Sequence, residues 1–80
     1  MILTVEYDPN GEVKIFCDTD GAKSLINFLS RLVDGQENHY HLMTKSWGGN
    51  ELTENQFGKN TTVINQVLLN MVKERMYCCL

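Results

Sequence analysis

Thr61-Thr62-Val63-Ile64-Asn65-Gln66-Val67-Leu68-Leu69-Asn70-Met71-Val72-Lys73-Glu74-Arg75 decides the fold, because it reads two ways. Val63, Ile64, Val67, Leu68, Met71 and Val72 recur at helical spacing. Val67, Leu69 and Met71 also alternate with Gln66, Leu68 and Asn70, which is the period of a strand. The stretch opens on β-branched residues, Thr61 to Ile64, which favours the strand. A helix here would leave the strand before it without a sequential partner. The sequence therefore predicts a strand over about Thr62–Val72.

That preceding strand is His39–Thr44. His39, His41 and Met43 face one way, and Tyr40, Leu42 and Thr44 the other. Trp47-Gly48-Gly49-Asn50 breaks it, and Glu51 to Gly58 forms an irregular connection with Leu52 and Phe57 as anchors. Further back, Ile2–Tyr7 and Val13–Cys17 alternate around Asp8-Pro9-Asn10-Gly11, a turn sequence, and predict a hairpin. Asp18-Thr19-Asp20-Gly21 supplies oxygen-bearing side chains for a helix start. Ala22, Leu25, Ile26, Leu29, Leu32 and Val33 form one apolar stripe, widened by Phe28, and Gly35 stops the helix. The expected fold is α+β, in the order β-β-α-β-β. A four-stranded, mostly antiparallel sheet carries helix Asp20–Asp34 on one face. The other face is left for solvent, a partner or a second copy, and a homodimer by face or edge pairing would stabilise so short a chain.

The chain has 80 residues, enough for one domain. A domain this small is marginal unless well packed or supported by a partner. The net charge of -3 argues against nonspecific nucleic-acid binding, which needs a basic face. Cys17, Cys78 and Cys79 form neither a disulfide framework nor a CxxC zinc pair, and read as free thiols in a cytoplasmic protein. Met1 to Tyr7 lacks the pattern of a signal peptide, and no segment is long enough to span a membrane. No cofactor is expected.

His39 and His41 project from one strand face and could chelate a metal with Glu37 or Glu51 as a third ligand. The simpler reading is two amphipathic rings on a half-exposed sheet face. No serine, cysteine or lysine stands in a recognisable nucleophile setting, so no catalytic residue is named and the chain is not read as an enzyme. Trp47 suits either the core or an interface anchor. Glu51 and Glu54 read as solvated loop charges, or as an acidic docking patch if Trp47 is exposed.

His41 to Thr44 (His-Leu-Met-Thr), Trp47 to Gly49 (Trp-Gly-Gly) and Glu51 to Glu54 (Glu-Leu-Thr-Glu) resemble a family of bacterial immunity proteins from polymorphic toxin systems, the one numbered thirty-two. Ile64-Asn65-Gln66-Val67 is a weaker echo. The motifs cover about a sixth of the chain, and Tyr77-Cys78-Cys79-Leu80 matches nothing in the family. The resemblance implies one immunity-protein-like domain over residues 1–80 that binds and neutralises a cognate toxin, for example a nuclease. An acidic partner is steered quickly to a basic cleft. The toxin-binding patch is expected to hold His39, His41, Trp47, Glu51 and Glu54. The alternative function is a small metal- or ligand-binding domain using His39 and His41.

Overall fold

The computed structural model describes residues 1–72. The two alternating runs at the start form β1 (Leu3–Tyr7) and β2 (Val13–Cys17), antiparallel, with Val5 opposite Ile15. The Asp8 carboxylate closes the turn between them by accepting from the amides of Asn10 and Glu12.

Helix α1 spans Thr19–Val33, within one residue of the expected bounds at each end. Asp18 is its N-cap, and its carboxylate has two donors. The Gly21 amide at 2.7 Å satisfies a free N–H of the first turn, and the Ile2 amide at 2.9 Å ties the helix start to the head of β1. Gly21 lies so close to the Ile2 carbonyl that a Cβ would collide with it. Leu25 and Phe28 pack against a cluster of Leu3, Val5, Leu42 and Leu52, and Leu32 is buried. Phe28 meets Tyr40 with ring centroids 5.1 Å apart. The Tyr40 hydroxyl is buried, with the Arg31 guanidinium beside it but outside good hydrogen-bond geometry. Only part of the expected stripe is used, because Ile26, Leu29 and Val33 stay exposed.

The remaining strands are β3 (His39–Met43), β4 (Thr62–Val63) and β5 (Gln66–Asn70). They correct the expected single four-stranded sheet. One sheet has the order β2-β1-β4 and the other is a β3–β5 ribbon, all antiparallel. The single strand expected over about Thr62–Val72 divides between them. The Ile64 amide still donates to the Val5 carbonyl at 2.7 Å. One residue later the Thr44 amide donates to the Asn65 carbonyl at 3.0 Å, and the Thr44 hydroxyl bonds the Asn65 side chain at 2.8 Å. The fully buried Thr44 thus captures the chain at Asn65 and turns it from one sheet to the other. Lys73 to Arg75, along with Tyr77, Cys78 and Cys79, lie outside the described residues.

Thr4, Glu6 and Phe16 share the face of β1 and β2 that the sequence left to solvent, a partner or a second copy. The connection from Thr53 to Thr61 covers it. Phe57 sits 5.5 Å from Phe16, and the Thr53 and Thr4 hydroxyls are 2.6 Å apart. Glu6 is wholly buried beneath this loop. Its carboxylate accepts from the amides of Phe57 at 2.8 Å and Gly58 at 3.1 Å, and from the Thr61 hydroxyl. Burial pushes its pKa up, but the Phe57 amide, the Thr61 hydroxyl, the Gly58 amide and the Lys14 charge outweigh it. Glu6 is held below the ordinary glutamate value.

A folded pKa below the unfolded one stabilises the protein above the unfolded pKa of about 4.3, and the effect is lost as pH falls through the lower folded value. Glu6→Gln removes that charge and places an NH2 group against donors. The variant is expected to melt below the wild type at pH 7. The gap in melting temperature is expected to narrow as pH drops from about 5 to about 3. A gap that stays constant over that range would show that the loop does not depend on the Glu6 charge.

Candidate binding groove

Strand β3 sorts its side chains by alternation. Leu42 enters the core and Tyr40 meets Phe28, so His39 and His41 point away from the helix. Both histidines are exposed, and their rings stand edge to face with centroids 5.1 Å apart. His41 Nδ1 is 2.9 Å from Gln66 Nε2 on β5. Leu68 lies directly opposite His41 in the ribbon and shares its face, also exposed.

After β3 the chain makes one 3-10 turn, Lys45–Trp47. The amides of Trp47 and Gly49 donate to the Thr44 carbonyl at 3.0 and 2.9 Å. Gly48 closes the turn at a φ of 91°, a left-handed conformation that disfavours any side chain. Two carboxylates brace the turn from the chain that follows. Glu51 accepts from the Met43 amide at 3.0 Å, and Glu54 accepts from the Ser46 amide at 2.9 Å. The Ser46 side-chain and backbone hydrogen bonds hold the Glu54 pKa below its ordinary value.

The turn presents Trp47 outward, 57% exposed. Trp47 and Tyr7 border an open groove of about 540 Å³, floored by Thr62, Val63, Ile64 and Asn65 and continued by Gln66 and Leu68. The groove follows the crossover between the two sheets, where the backbone changes partners. Gln66 bonds His41, so the histidine pair adjoins the groove. The five residues named from sequence are therefore divided. Trp47 lines the groove, His39 and His41 flank it, and the carboxylates of Glu51 and Glu54 hold the Trp47 turn. Glu54 also lines a second groove of about 550 Å³ along Lys45, Gly49, Asn50 and Leu52.

Sequence reasoning did not name Tyr7, Gln66 or Leu68. One signal was available for Leu68: it is the apolar residue on the polar face, between Gln66 and Asn70. Tyr7 carried none, since it continues the core face of β1. Among the described residues, no three of the histidines, cysteines and acidic residues gather as metal ligands do. Among the described residues, His39 and His41 bring two ligands together, fewer than the three or four that zinc takes from a protein.

Leu52 is 4% exposed and belongs to the core. Leu52→Ala is expected to lower stability by about 2–5 kcal/mol, as cavity-forming substitutions do. Trp47→Ala is expected to stay within about 0.5 kcal/mol of wild type. Urea unfolding of the two variants checks both figures, and a large loss for Trp47→Ala would return the indole to the core.

No family model, curated protein or solved structure matches the chain, so the resemblance to immunity proteins rests on its own motifs.

Proposed function

We propose that this chain is a protein-binding module that neutralises a bacterial toxin by covering it, with the Trp47 groove as its working surface. The observation that carries the reading is Trp47 itself. A rigid turn, braced by Glu51 and Glu54, holds a large amphipathic ring out in water. Exposing so much apolar surface is unfavourable in the free protein, and burying it against a partner is correspondingly favourable. Tryptophan and tyrosine beside an open apolar trough are the residue types that dominate binding energy at protein interfaces.

The toxin as partner is the finer part of the proposal. It rests on the motifs at His41–Thr44, Trp47–Gly49 and Glu51–Glu54, and on the net charge of -3, which suits a basic cleft. The reading as a binding protein rather than an enzyme rests on the sequence, where no nucleophile is set beside a base. Glu51 and Glu54 contribute in two ways. They fix the turn that aims Trp47, and Glu54 places a carboxylate along the second groove beside Lys45 and Leu52.

The experiment uses the toxin domain encoded beside the gene for this chain, titrated calorimetrically with the purified protein. Trp47→Ala is expected to raise Kd by about thirtyfold or more, equivalent to about 2 kcal/mol, with the melting temperature unchanged. Leu68→Glu is expected to weaken binding as well. A neighbouring gene that encodes no toxin domain, or a toxin affinity indifferent to both substitutions, would overturn the proposal.

A further inference from the structure

The apolar positions of α1 fall into two strips. Leu25, Phe28 and Leu32 face the body of the protein. Ala22, Ile26, Leu29 and Val33 lie about a quarter turn away at 100° per residue. Ile26 is 62% and Val33 75% exposed, and Leu29 is also open to water. A groove of about 330 Å³ runs along this second strip, bordered by Ser30 and Asp34. The strip lies apart from the Trp47 groove and shares no residue with it.

The second strip has the spacing four, three, four. That is two heptads of a coiled-coil seam, with β-branched Ile26 and Val33 at a and with Ala22 and Leu29 at d. In an antiparallel pair, a positions meet d positions of the other helix. Ile26 would then meet the second copy's Leu29, and Val33 the second copy's Ala22, a large residue against a small one. Both matches centre on the Asn27–Phe28 peptide, so a single two-fold axis satisfies them together.

The flanking charges select the same arrangement. Lys23 and Asp34 lie on the solvent side of the strip, away from the protein body. About the same axis, Lys23 of one copy falls within about 3 Å, along the helix, of the other copy's Asp34. That offset is inside the reach of a lysine side chain. A parallel pair would instead put the two copies of Lys23, and of Asp34, on opposite sides of the seam, where no lysine faces an aspartate.

We infer that this chain associates with a second copy of itself through the Ala22-Ile26-Leu29-Val33 strip of α1, as an antiparallel helix pair about a two-fold axis. The seam is short of the roughly 1,600 Å² of a standard interface, so the dimer forms with rising concentration. This association is independent of the toxin-binding reading.

Sedimentation equilibrium of the full chain from about 10 µM to about 1 mM tests it. The mass is expected to rise from 9.2 kDa towards twice that value. Leu29→Glu is expected to keep the circular dichroism spectrum and remain monomeric throughout. Asp34→Lys is expected to weaken dimerisation about twofold to fivefold for each ion pair lost, and the double variant Lys23→Glu, Asp34→Lys to restore it. The double swap leaves the apolar seam intact and suits the helix dipole, so it decides the matter even if Leu29→Glu fails to fold. A mass of 9.2 kDa at every concentration overturns the inference. So does a dimer that survives Leu29→Glu with its helix intact, or a double swap that does not restore association.

Discussion

Two small sheets must be held together, and the chain from Glu51 to Thr53 does most of that work. Leu52 donates its amide to the Met43 carbonyl at 3.2 Å and pairs with Thr44 in a parallel bridge. The next residue, Thr53, donates its amide to the Leu3 carbonyl at 2.8 Å, and its hydroxyl accepts from the Leu3 amide at 2.9 Å. Three consecutive residues thus bond the end of β3 and the start of β1. The Leu52 side chain fills the space between them with Leu3, Val5 and Leu42. A two-stranded ribbon is marginal by itself in water. The ribbon β3–β5 is stable here because this segment and the Asn65 crossover dock it to the three-stranded sheet.

The same segment builds the candidate site. Glu51 comes directly before Leu52, and its carboxylate reaches back to the Met43 amide. Glu54 follows directly after Thr53 and takes the Ser46 amide. The turn carrying Trp47 is therefore clamped on both sides by the residues that join the sheets. Trp47 can be exposed without being loose, which lowers the ordering cost of using it as an anchor. The core is small, and burial alone does not account for the position of the loop. The buried Glu6 carboxylate gathers the Phe57 and Gly58 amides and the Thr61 hydroxyl, so it organises the covering loop from beneath.

Helix α1 divides its apolar surface between the core and water. Its start is fixed to β1 by Asp18 and Gly21, and its far half leans on Tyr40 through Phe28. These two anchors set its rotation. They direct Leu25, Phe28 and Leu32 inward and leave Ile26, Leu29 and Val33 uncovered. The amphipathic stripe read from sequence is real but wider than the sheet beneath it. The excess leaves an apolar strip of the helix open to water.

The sequence by itself determined the elements. Period-two runs made the hairpin and β3, period-3.6 spacing made α1, and the β-branched opening at Thr61–Ile64 rightly favoured extended chain. These are local properties, written into side-chain spacing and turn chemistry. Only the tertiary structure decided which strand pairs with which. The split at Asn65 depends on Thr44, and the burial of Glu6 on Phe57, Gly58 and Thr61. Those partners are far apart in sequence, and no period connects them. The site was legible in part for the same reason. The Trp47 turn with its glycines is local and stood out, whereas Tyr7 and Leu68 joined it only once the crossover brought two sheets to one groove.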